Sequence, residues 1–158
     1  MSGDAVTVRT IGPADAATVT RHRHRMFVDA GKPDDAALAA MSEAFSSWVE
    51  SKLRSGEYFG WFAEAEGKVV AGIGMMVLDW PPHPVHLEPM RGYILNVYTE
   101  PEWRGQGLAK RLTGLAMDAA RQRKLNLTIL HATEMGKPLY AKLGFKGTNE
   151  MQWSPSKT

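Results

Sequence analysis

Arg104-Gly105-Gln106-Gly107-Leu108-Ala109 is the stretch that decides the fold of this chain. Just before it, Tyr93-Ile94-Leu95-Asn96-Val97-Tyr98 has the apolar character of a strand. Just after it, Leu108, Leu112, Leu115 and Ala119 recur at helical spacing, and the pattern runs to about Lys124. A glycine-rich turn between a strand and a helix is a place to hold phosphate. The first helical N–H groups have no partners within the helix, and the macrodipole favours an anion there. Gly105 and Gly107 carry no Cβ, so backbone and phosphate can approach closely.

Two common phosphate loops do not fit. Lys110 stands where a dinucleotide fingerprint needs its third glycine, and no acidic residue follows at the required distance. No stretch supplies G-x-x-x-x-G-K-[ST]. The residues do fit R-x-x-G-x-A, through Arg104, Gly107 and Ala109. This resembles motif A of the GNAT superfamily, the Gcn5-related N-acetyltransferases, whose loop holds the pyrophosphate of acetyl-coenzyme A. A second segment, Leu139-Tyr140-Ala141-Lys142-Leu143-Gly144-Phe145, resembles the LYxxxGF segment of the same superfamily. The two lie in the expected order.

The chain has 158 residues, enough for one domain with a real core, and is read as a single GNAT-like domain over 1–158. It has no cysteine, which removes disulfides, thiolate metal sites and cysteine nucleophiles, and fits a reducing cytoplasm. The N-terminal Met1-Ser2-Gly3-Asp4-Ala5 leads into no apolar region, so a secretory signal is not expected. The most apolar run, Val69 to Leu78, is about half of the ~20 residues a bilayer demands, so no membrane partner is expected. A net charge of +2 is too small to argue for nucleic acid.

Taken in order, Val6 to Thr10 is a strand, and a helix with Pro13 at its first position runs to about Ala30. Its Arg21-His22-Arg23-His24-Arg25 run reads as a solvated face. Asp34 or Asp35 can cap a second helix, with Leu38, Met41, Phe45, Trp48 and Leu53 as its apolar stripe and Gly56 as its stop. Tyr58 to Glu64 and Lys68 to Leu78 read as a hairpin turning at Gly67. Gly72 and Gly74 mark a bulge or a close neighbour. Asp79 to Pro89 holds four prolines and is a loop, read as covering the acceptor site. Its His83 and His86 lack a third ligand nearby, so no metal is expected. Asn126 to His131 is a fifth strand, Thr133 to Gly144 encloses a short helix, one or two strands follow over Phe145 to Trp153, and Ser154 to Thr158 is a tail.

The expected fold class is therefore α/β (α+β): a GNAT-like mixed central sheet of six to seven strands, order β-α-α-β-β-β-α-β-α-β(-β), with helices on both faces. The resemblance adds that the fourth and fifth strands splay apart. It implies acetyl transfer from acetyl-CoA, as co-substrate, to a primary amine of a small molecule or peptide. Gly105, Gln106, Gly107, Leu108 and Ala109 would bind the pyrophosphate, with Arg104 beside them. Val97, Tyr98 and Thr99 resemble the strand-edge contacts to the pantetheine arm. Tyr140 resembles the tyrosine that approaches the CoA sulfur, and is the expected catalytic side chain. Two positions depart from the family pattern, Thr133 in place of Asn and Gly136 in place of Ala. The general base stays open among Glu88, Glu100, His86 and His131. A homodimer stays open, as does the alternative of an acyl-CoA sensor without turnover.

Overall fold

The computed structural model describes residues 5–155; the first four residues and the last three of the expected tail lie outside the described residues. The strands are β1 (Thr7–Thr10), β2 (Tyr58–Ala65), β3 (Lys68–Asp79), β4 (Met90–Thr99) and β5 (Thr128–Leu130). The helices are α1 (Ala16–Asp29), α2 (Ala36–Ser55), α3 (Leu108–Gln122) and α4 (Lys137–Lys142). The strands form one sheet in sequence order. The first four are antiparallel, and β5 lies parallel to β4 across the α3 crossover.

Local chemistry explains most boundaries. The Asp35 carboxylate accepts the Leu38 N–H at 3.1 Å and starts α2, and Gly56 ends it at φ +78°. Glu66 and Gly67 both take positive φ, which is the two-residue turn a right-twisted hairpin favours. Between Gly72 and Gly74 both expected features occur. A Cβ on Gly74 would stand 1.9 Å from the Tyr58 hydroxyl, and the pairing of β3 with β4 shifts register there.

Helices cover both faces. Leu108, Leu112, Ala116, Ala119 and Ala120 of α3 pack on Ala63, Ile73, Met75 and Ile94. Leu112 is fully buried, worth about 1.5–3 kcal/mol for a side chain of that size. On the other face Ala16 and Val19 of α1 and Phe45, Val49 and Leu53 of α2 pack with Tyr58 and Phe62.

Two expectations are corrected. The sheet has five strands among the described residues, not six or seven, because residues 145–153 form no strand. Only three residues of the expected fifth strand pair, and Gly147, Asn149 and Glu150 are poor strand formers. Of the Arg21 to Arg25 run, only Arg21 and Arg25 are exposed. α1 lies across β4, so His22 is buried at 1% exposure, and Arg23 is half-buried between the rings of Phe27 and Phe45. His24 bonds Ser42 and Asp34.

Candidate active site

β4 and β5 pair only from Gly92 to Ile94 and from Thr128 to Leu130. Beyond that point β4 continues to Thr99 with β3 on one side and no strand on the other. The expected splay is therefore present. It leaves the backbone of Leu95 to Thr99 on an open edge, including Val97, Tyr98 and Thr99.

That edge runs into the glycine turn. Gly105 and Gly107 adopt φ +78° and +79°, and a Cβ at either would meet no atom within 4 Å. The N–H groups of Gly107, Leu108, Ala109 and Lys110 have no acceptor among the described residues. Such a cradle, open and lined by N–H groups at the start of a fifteen-residue helix, suits an anion. Arg104 does not project freely. Its Nε donates to the Thr99 carbonyl at 2.9 Å and its guanidinium to Asp29 at 2.7 Å, tying the turn to the end of α1. Arg111 donates to the Val6 carbonyl, while Lys110 has no partner among the described residues.

Tyr140 sits on α4, just after β5. Its ring meets Phe145 edge-on at 5.8 Å, and its hydroxyl makes no hydrogen bond among the described residues. Burial raises its pKa above the ordinary phenol value. The two departures now have structural roles. A Cβ on Gly136 would stand 3.1 Å from the Tyr140 ring, so glycine gives the ring its place. The Thr133 hydroxyl and carbonyl both accept the Gly136 N–H, fixing the entry to α4.

Of the four candidates for a base, His131 stands where the strands part, its Nδ1 2.8 Å from the Tyr93 hydroxyl. Burial alone would raise the Glu100 carboxyl, but the Arg21 hydrogen bond and charge more than reverse this and hold it below its ordinary value. That makes it a weak base. His86 and Glu88 lie on the loop before β4, about 17 Å down the strand from Leu95 at ~3.4 Å per residue. The loop closes as a hairpin. Trp80 N–H donates to the Pro89 carbonyl, His83 and His86 exchange backbone bonds, and Arg91 stacks 3.4 Å from the Trp80 ring. No group of three metal-ligating side chains occurs among the described residues.

Sequence reasoning missed Asn96. It takes φ +55° in mid-strand, where β4 holds one residue more than β3. A left-handed residue other than glycine costs about 1–3 kcal/mol, and asparagine tolerates it best. Its side chain donates to the Tyr58 hydroxyl at 3.0 Å and accepts from Arg23 at 2.9 Å, offsetting that cost. An asparagine inside an apolar strand was the available signal.

Buried His22 lies 4.8 Å from the Tyr98 ring, with Nε2 unpartnered. Burial first, then the charge of Arg21, pushes its pKa down from 6.5 to about 4, with Glu100 opposing. The unfolded chain therefore binds the proton more readily. Stability from this position is complete above pH 6.5 and is lost as pH falls toward 4, by about 3 kcal/mol. Urea titrations of the native protein and of His22→Gln should diverge across that window; parallel curves would exclude the effect.

The geometry matches known proteins. The family model described as Acetyltransferase (GNAT) family matches residues 19–145. The chain belongs to the GNAT acetyltransferase family. A GCN5-related N-acetyltransferase of Ralstonia eutropha JMP134 is 44% identical, with TM-score 0.91 over 95% of this chain and 98% of that one. A Clostridium acetobutylicum protein described as a predicted acetyltransferase, solved with acetyl-CoA, is 26% identical, with TM-score 0.86 over 95% and 96%. Human N-acetyltransferase 8 is 30% identical over 70% of this chain and 46% of its own length. This GNAT chain spans about half the length of that curated relative. No helix among its described residues is long and apolar enough to cross a membrane.

Proposed function

We propose that this GNAT chain transfers an acetyl group from acetyl-CoA to a primary amine of a small molecule or peptide by direct attack. The observation that carries this reading is the open edge of β4 running into a turn whose N–H groups are unpartnered. Residues 105–109, with Lys110, fit a pyrophosphate, and the edge at Val97 to Thr99 fits the amides of a pantetheine arm, which adds to a sheet as a strand does. Acetyl-CoA supplies the activated acyl group.

The chain's own residues do the rest. A backbone N–H on the splayed edge faces a developing oxyanion. Tyr140 donates a hydrogen bond to the leaving sulfur. His131 takes the amine proton on Nε2, in the tautomer whose Nδ1–H donates to the Tyr93 oxygen. The loop of residues 80–89, on the opposite end of β4 from the phosphate turn, borders the acceptor. A thiol-release screen across amines, polyamines, amino acids, aminoglycosides and peptides tests the proposal. Turnover with one class is expected. Acetyl-CoA binding with no thiol release across the panel would leave a sensor as the reading.

A further inference from the structure

Among the described residues, Arg23 is the one arginine that is neither exposed nor paired with a carboxylate. The others hold an Asp or Glu or, like Arg25, Arg111 and Arg123, are exposed. Arg23 reaches from α1 onto β4. Its Nη1 donates to Asn96 Oδ1 at 2.9 Å, and its Cζ lies 5.1 and 5.0 Å from the ring centres of Phe27 and Phe45. One edge of the guanidinium is left over. Nε and Nη2 together form the edge that meets a carboxylate with two parallel bonds. Neither has a partner among the described residues; Nε is sealed from solvent and Nη2 is not.

The charge is unanswered as well. Burial opposes it, and the groups whose field would favour it are the phenols of Tyr58 and Tyr93. Burial raises the pKa of both phenols, so both are neutral near pH 7. A half-buried cation among neutral neighbours is costly to hold, and Asn96 supplies only a dipole. Position then narrows the choice of anion. Asn96 lies on the open edge of β4. Tyr93 shares a face with Leu95, which packs with the α1 and α2 layer. Tyr93 feels the charge of Arg23, and its hydroxyl bonds His131. Arg23 and His131 therefore both stand beside one phenol.

We propose that Arg23 binds the carboxylate of the acceptor, and that the acceptor is an amino acid whose amine and carboxylate lie a few bonds apart. The role of the amine rests on the acetyl-transfer reading; the binding of the carboxylate does not. The carboxylate takes the Nε and Nη2 edge, while Asn96 holds the other end of the guanidinium. Polyamines and aminoglycosides would bring positive charge to a half-buried cation and are disfavoured.

Calorimetric titration of the native protein, with CoA present, tests this. Of the twenty common α-amino acids, β-alanine and γ-aminobutyrate, at least one should bind. Its carboxamide should bind about a hundredfold more weakly, because two charge-assisted bonds are lost. Arg23→Gln should bring that acid-to-amide ratio to within about threefold of one. Arg23→Lys keeps the charge without the fork, and should keep about a tenth of the ratio. The ratio isolates the carboxylate contact from any general change in the fold, as a double-mutant cycle does. A ratio near one in the native protein would overturn the proposal. So would a ratio that survives both substitutions, or no binding by any of these acids at about 10 mM. Binding with the expected ratio but no thiol release would leave the carboxylate site standing and remove the acetyl-transfer reading.

Discussion

Tyr140→Phe is expected to lower kcat by roughly ten- to a thousandfold while the KM for acetyl-CoA hardly moves. The hydroxyl has no partner among the described residues, so its removal breaks no internal bond, and stability should stay within about 1 kcal/mol. Burial raises the Tyr140 pKa, and a phenol near 10 is already a weaker acid than a thiol near ~8.5. The side chain therefore keeps its proton and acts as a hydrogen-bond donor. A donor beside a leaving sulfur gains strength as charge builds there, which places its effect in kcat rather than in ground-state binding. Equal turnover by Tyr140→Phe with the true acceptor would reduce Tyr140 to a packing residue.

Gly107→Val should weaken acetyl-CoA binding by about a hundredfold. Two charge-assisted bonds at ~1.5 kcal/mol each give about 3 kcal/mol. A Cβ at this position meets no protein atom within 4 Å, so the loss would come from the bound phosphate's side of the turn. Backbone strain needs its own control. Gly56 has φ +78° and equally open surroundings, but it ends α2. Gly56→Val should share the strain cost of about 1–2 kcal/mol and keep full affinity. Calorimetric titration of both variants decides the matter: unchanged affinity in folded Gly107→Val would sink the cofactor assignment.

Much of this fold was legible because its signals are local. Asp35 and Gly56 bound α2 through bonds made within four residues. Gly67 sets a turn by its own φ, and the strand, glycine turn and α3 follow one another without a break. The illegible parts depend on distant partners. His22 is buried only because α1 crosses β4, which no helical periodicity around Arg21 to Arg25 encodes. The Asn96 conformation is secured by Tyr58 and Arg23, remote in sequence. Tyr93 and His131 meet because β5 returns beside β4. The closing strand failed for a different reason. Phe145, Met151 and Trp153 fall on one face of an extended chain, but Gly147, Asn149 and Glu150 between them are poor strand formers, and alternation does not say which edge a strand will join.

The extra residue at Asn96 changes what a deletion would do. In an unbroken strand Ile94 and Tyr98 would share a face, four residues apart. Here Ile94 belongs to the α3 layer, and Tyr98 lies against His22 on the α1 layer. β4 is thus two short strands of opposite facing, spliced at one asparagine. Straightening β4 while keeping that residue would turn everything downstream over: Tyr98 would be driven toward α3, Val97 toward α1, and the glycine turn would be presented from the wrong side of the sheet. Deleting Asn96 instead would leave Leu95 beside Val97 in plain alternation, with Ile94 and Val97 still in the α3 layer and Tyr98 still against His22. A one-residue alignment gap at Asn96 therefore reads as loss of its bonds to Tyr58 and Arg23, with the site kept on the same face of the sheet.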